Sequence, residues 1–125
     1  MKKNLPKITD GELKVLEVLW DKAPAAASEV VAALKERANW NRNTTYTFIN
    51  RLVDKNVVKR EEPGFICTPL YTRDEVRVSE ARSFLDKMYD GSLKMLVTSF
   101  INTKAVSDQE IAELRRLIEN SAPKK

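Results

Sequence analysis

A chain of 125 residues with a formal charge of +4 fits one domain, or a head of about 70 residues with an appendage, and excludes two self-sufficient domains. Its 42% hydrophobic and 32% charged content supports a core and a solvated surface, which excludes a disordered chain, and only three Gly favour helices over a turn-rich β sandwich. The slight basic excess lies in residues 1–72 and is compatible with a polyanionic partner without requiring one.

Thr9-Asp10-Gly11-Glu12 has Thr9 as an N-cap with Glu12 three residues on, a capping box that starts a first helix. Its apolar face is read as Leu13, Leu16, Leu19 and Trp20, and Pro24 ends it. After the link Ala25-Ala26-Ala27, Ser28 is expected to cap a second helix to about Ala38, with Val30, Val31 and Leu34 inward and Trp40 in the connector that follows. Residues 44–55, plotted at about 100° per residue, divide into two arcs. Thr45, Phe48, Ile49, Leu52 and Val53 form a core side; Thr44, Tyr46, Thr47, Asn50, Arg51 and Asp54 form a free polar side.

Val57-Val58-Lys59-Arg60 and Phe65-Ile66-Cys67-Thr68 are short β-favouring runs around Glu61-Glu62-Pro63-Gly64, where Pro-Gly signals a type II turn; this predicts a hairpin. Three helices followed by a hairpin is the order of a winged helix-turn-helix head. From Arg73 the chain reads as helix again, with Val78, Ala81, Phe84, Leu85, Met88 and Tyr89 on one face, up to a break at Asp90-Gly91. Leu93, Leu96, Val97, Phe100 and Ile101 then repeat at helical spacing, and Ser107 with Glu110 caps a last helix carrying Ile111, Leu114, Leu117 and Ile118. The end, Ser121-Ala122-Pro123-Lys124-Lys125, is expected to fray.

The expected fold is therefore mostly α with a small β hairpin: a winged helix-turn-helix head over 1–72 and a helical dimerisation tail over 73–125. The tail is too short to bury its own wide apolar stripes. They either fold back on the head or pair with a second copy, and the prevalence of symmetric dimers favours pairing. The expected dimerisation residues are Phe84, Leu85, Met88, Leu93, Leu96, Val97, Phe100, Ile101, Ile111, Leu114, Leu117 and Ile118.

With no His and a single Cys, the chain lacks the commonest general base, imidazole metal ligands and any intramolecular disulfide. Gly-rich phosphate loops and nucleophile motifs are missing as well, so neither an enzyme, a metal site nor a cofactor is expected. Cys67 is read as a small hydrophobe in a strand rather than a redox switch. The basic N-terminus is not followed by an apolar stretch, and no apolar run approaches the roughly 18 residues of a membrane span, so the expectation is a cytoplasmic protein without membrane insertion.

The stretch Ile8-Thr9-Asp10-Gly11-Glu12-Leu13, Trp20, Asn39-Trp40, Thr44, Arg51-Leu52, Leu85, Phe100 and Glu110-Ile111-Ala112-Glu113-Leu114-Arg115 resemble the penicillinase repressor family, the BlaI/MecI type, over nearly the whole chain. The resemblance implies a homodimeric transcriptional repressor on a double-stranded operator of two inverted half-sites. In the antibiotic-resistance branch it also implies a membrane sensor-transducer with a zinc protease domain that leads to cleavage of the repressor tail, at a position matching Ser99 and Phe100. Here the sequence departs from the pattern: the best-known members carry Asn where this chain has Ser99. A copper-responsive branch carries a C-terminal cysteine cluster that this chain lacks, which sets aside that mode of metal sensing.

The polar arc of the third helix suits the major groove, where hydroxyls and amides read base edges and Arg donates two hydrogen bonds to guanine. Thr44, Thr47 and Arg51 match family positions, whereas Asn43 and Tyr46 replace basic residues of well-known members. Arg42, Asn43 and Asn50 are expected on phosphate or sugar. Lys59 and Arg60 enter the wing and are expected to meet the DNA backbone, although Glu61 and Glu62 at its tip oppose phosphate; Phe65 and Tyr71 are read as hairpin packing. Lys2, Lys3 and Lys7 form a basic arm that either adds phosphate contacts or is only solvated. Two other readings stay open. The third-helix face could instead dock a protein partner, or DNA binding could answer to a small molecule held between head and tail, for which no convergent polar cluster is present.

Overall fold

The computed structural model describes residues 5–121, and these fall into two compact units that divide between Ala81 and Arg82. Of the basic arm, Lys2 and Lys3 lie outside the described residues, as does the end from Ala122.

In the first unit, α1 (Asp10–Lys22) starts at a capping box: Glu12 N donates to Thr9 Oγ1 at 3.3 Å and Thr9 N to Glu12 Oε1 at 2.9 Å. It buries Val15, Leu16, Val18 and Leu19, a broader surface than the expected stripe, because α2, α3 and the sheet all contact it. Leu13, expected in the core, is 37% exposed. Helix α2 (Ala27–Ala38) begins earlier than expected, since Ala26 rather than Ser28 is the N-cap residue and its amide donates to Glu29 Oε1 at 2.8 Å. The Glu29 carboxylate satisfies the amide of the N-cap residue itself, while Ala26 offers no side-chain acceptor to the first helical turn. Val30 and Leu34 are buried as expected, Val31 only partly. Asn39 ends α2 in the left-handed region at φ 56, a conformation Asn tolerates better than most residues.

Helix α3 (Arg42–Asp54) buries Thr45, Ile49 and Leu52, with Phe48 and Val53 packed partly against the core. Strands β2 (Val58–Glu61) and β3 (Ile66–Pro69) form the expected hairpin displaced by one residue. Gly64 and Phe65 both take positive φ, 94 and 52, so Phe65 belongs to the turn. Its amide donates to Glu62 Oε1 at 3.2 Å. A third strand, β1 (Ala25–Ala26), lies where a link was expected and pairs antiparallel with β3, giving the order β1-β3-β2. Helix α4 (Arg73–Met88) follows. Its first turns join this core through Val76, while Val78, expected on the apolar face, is 66% exposed. Arg73 reaches Glu17 at 3.0 Å and Asp21 at 3.2 Å.

Gly11 makes the closest approach in this core. A Cβ built there would run into the edge of the Phe48 ring, and that ring stacks on Trp40 with centroids 5.0 Å apart. Helical Gly to Ala ordinarily stabilises by about 0.5–1 kcal/mol. Gly11→Ala is expected to reverse that sign and lower stability by about 1–3 kcal/mol, the cost of overpacking. Urea denaturation checks it; a gain in stability would mean that the ring moves aside freely.

The second unit holds the end of α4, then α5 (Leu93–Asn102) and α6 (Asp108–Ser121). The expected break is present, with Asp90 and Gly91 at φ 51 and 78, and Ser92 caps α5 by accepting from Met95 N at 3.0 Å. Ser107 Oγ accepts from Glu110 N at 3.1 Å ahead of α6. Neither α5 nor α6 buries a single residue fully. Between them runs an open groove of about 510 Å³ lined chiefly by Leu96, Val97, Phe100, Ile101, Ile111, Leu114 and Ile118. Among the described residues no helix is long and apolar enough to cross a membrane.

Candidate nucleic-acid interface

A helix presents a readable face only if it is fixed at both ends, and α3 is. Asn41 caps its start, accepting from Thr44 N at 2.8 Å through Oδ1, which satisfies one of the amides that the first helical turn leaves unpaired. The sequence reading missed this cap, although an Asn immediately before an amphipathic run is its signal. At the other end Lys55 Nζ donates to Glu12 Oε1 at 2.6 Å and to Lys7 O at 2.8 Å. Glu12 is 1% exposed. Burial pushes its carboxyl up, but the hydrogen bonds from Lys55 and Thr9 and the Lys55 charge together hold it below its ordinary value.

Between these anchors Arg42, Asn43, Thr47, Asn50, Arg51 and Asp54 are exposed, while Thr44 and Tyr46 are half-buried. Thr47 Oγ1 donates to Asn43 O at 2.9 Å, leaving the hydroxyl oxygen free to accept. The Arg51 guanidinium lies 5.1 Å over the Phe48 ring and that of Arg42 lies 5.0 Å over Tyr46. Both cations thus lie over rings of their own helix while remaining exposed.

The wing differs. Lys59 Nζ lies 3.4 Å from Glu61 and Arg60 Nε donates to Glu62 Oε2 at 2.6 Å; Arg60 also sits 3.6 Å over the Phe65 ring. The two expected wing cations thus have carboxylate partners two residues away. Arg60 lowers the Glu62 carboxyl from its ordinary value. Phe65 packs edge-on against Tyr46 at 5.5 Å and Tyr71 packs partly buried against the core, so both aromatics pack as expected; the Tyr71 backbone carbonyl also accepts from Trp20 Nε1 at 3.0 Å. Cys67 is fully buried in β3, and burial raises its thiol pKa. Among the described residues no cluster of three or more Cys, Asp or Glu is arranged to hold a metal ion.

The expected tail residues lie in the second unit. Phe84, Met88, Leu93, Val97, Phe100, Ile101, Leu114, Leu117 and Ile118 are exposed, while Leu96 and Ile111 are half-buried. Leu85, at 6%, is already covered within its own chain.

The penicillinase repressor family model matches residues 8–120. The chain belongs to the penicillinase repressor family. This is a family of DNA-binding transcriptional repressors, not of enzymes. The penicillinase repressor of Bacillus licheniformis is 30% identical over 98% of each chain. That of Staphylococcus aureus is 28% identical over 94% of this chain and 95% of its own. The methicillin resistance regulatory protein MecI of Staphylococcus aureus is 26% identical, over 90% and 93%.

Two solved structures match this family member at 31% identity, each covering 60% of this chain and 93% of its own. One is the solution structure of the DNA-binding domain of the repressor BlaI, with a TM-score of 0.53. The other, with a TM-score of 0.52, is the monomeric form of Bacillus licheniformis BlaI in complex with the blaP half-operator. The head has the winged-helix fold.

Proposed function

We propose that this family member is a homodimeric repressor whose residues 1–72 bind double-stranded operator DNA and whose residues 73–125 pair two copies. The observation that carries the first half is the solvent-facing arc of α3, capped by Asn41 and clamped by Lys55, in a fold like that of a repressor domain bound to a half-operator. Thr44, Thr47 and Arg51 read base edges, and Arg42, Asn43 and Asn50 hold phosphate or sugar. Pairing is supported by α5 and α6, which expose Phe100, Ile101, Leu117 and Ile118 at 44%, 44%, 61% and 66%; soluble proteins cover such stripes. Repression is then occlusion of the promoter by two heads on inverted half-sites, in the cytoplasm.

Release follows from proteolysis between Ser99 and Phe100 by a membrane sensor-transducer metalloprotease. Both residues lie inside α5, so cleavage requires that helix to unwind locally.

The test is selection of duplexes from a random pool by the full chain at near-physiological salt. The expected product is an inverted repeat with half-sites about one helical turn apart, bound with an affinity that falls steeply as salt is raised. A folded protein that enriches nothing overturns the reading and turns the α3 face into a docking surface for another protein.

A further inference from the structure

Tyr46 stands on the recognition helix, yet its ring is half-buried and engaged on both sides. Arg42 lies over it at 5.0 Å, and the Phe65 ring meets it edge-on at 5.5 Å. Phe65 in turn carries the Arg60 guanidinium at 3.6 Å. The stack closes on Glu62, which accepts from Arg60 Nε at 2.6 Å and from the Phe65 amide at 3.2 Å. Arg42, Tyr46, Phe65, Arg60 and Glu62 thus form one continuous ladder from the first turn of α3 to the tip of the wing. Aromatic pairs and stacked guanidinium groups resist sliding, because both depend on ring geometry as well as on contact area.

From this juxtaposition we infer that Tyr46 is a positioning residue that fixes the wing against the recognition helix through Phe65, and that Arg60 is a rung of this joint rather than a phosphate contact. This rests on the DNA-binding reading only for its consequence, since the joint exists in the free chain. Tyr46 acts through its ring, so its hydroxyl carries no base preference. The wing angle, and with it the fit of the head along the groove, depends on the Tyr46–Phe65 contact.

The experiment has two arms, both on the full chain. In the free protein, nuclear magnetic resonance should find the Arg60 side-chain protons shifted upfield by the Phe65 ring and the Phe65 amide protected from exchange. Tyr46→Ala should reduce both while Ile49 stays protected, and Tyr46→Phe should restore them. Where Tyr46→Ala does not fold, Tyr46→Leu, which keeps bulk without the ring, serves in its place. Unchanged Arg60 shifts and Phe65 exchange in the folded variant would overturn the joint. On the duplexes recovered by selection, Tyr46→Phe should keep the same base preference, and Tyr46→Ala should weaken binding about 3- to 10-fold on all of them alike, the scale of one aromatic pair. A new base preference in Tyr46→Phe would make the hydroxyl a reader and overturn the inference. If the wild type enriches no duplex, the repressor reading fails, while the first arm still decides the joint.

Discussion

A chain ending at Ser99 is expected to be monomeric and to bind its operator about 10²- to 10⁴-fold more weakly than the full chain, the range lost when an intramolecular second contact becomes bimolecular. Truncation removes Phe100 and Ile101 from α5 together with all of α6, and hence most of the groove lined by Leu96, Val97, Ile111, Leu114 and Ile118. It leaves the head intact, because the buried cluster of the first unit runs only from Ile8 to Val76. Each head should still recognise a half-site, so loss of affinity with retained sequence preference is the expected signature. Sedimentation would report the oligomeric state, circular dichroism the fold, and a mobility-shift titration the affinity. A truncated chain that sediments as a dimer and binds as tightly as the parent would place the pairing surface elsewhere.

Glu12→Ala is expected to lower stability by about 2–3 kcal/mol. Removing one partner of a buried ion pair ordinarily costs about 3–5 kcal/mol, but Lys55 is 30% exposed against 1% for Glu12, so its released charge regains water. The loss of the helix cap that Glu12 provides to Thr9 is included in that figure. The pH dependence has a definite sign. Because the folded carboxyl titrates below its ordinary 4.5, its contribution is fully present above 4.5 and is lost as pH falls from there through the folded value. Urea denaturation from pH 6 down to 3 should give a wild-type acid limb that is partly flattened in Glu12→Ala. Since Lys55 follows the last turn of α3, the variant should also bind DNA less well at temperatures where it remains folded. A stability within about 0.5 kcal/mol of wild type, the range of an ordinary surface change, would remove Glu12 from any structural role.

The face of α3 was legible in the sequence because one side of it is buried and the other is not, so its two arcs separate at the helical period. Helix α1 was harder to read. It is enclosed by helices and sheet together, so Val15 and Val18 are buried outside the expected stripe while Leu13 is 37% exposed. The start of α2 misled for a chemical reason: Ser28 is the conventional cap, yet Glu29 satisfies the Ala26 amide from inside the helix. Two alanines forming β1 carry no strand signal, since the partner strand defines them. The ladder through Tyr46 was illegible because Phe65 lies 19 positions away in the sequence and turns inward through a positive φ. The tail's apolar spacing was plain from the start, and its exposure in a single chain is the reason a second copy is proposed.

The three-stranded sheet also determines what this protein does not do when many copies gather on one stretch of DNA. Its inner strand β3 is paired on both sides, its β1 edge is only two residues long, and its β2 edge carries Lys59, Arg60 and Glu61 along a four-residue strand. Short, charged edges are poor templates for another strand. Among the described residues the sheet therefore offers crowded heads little edge on which to add a strand, which disfavours growth of β structure from one molecule to the next.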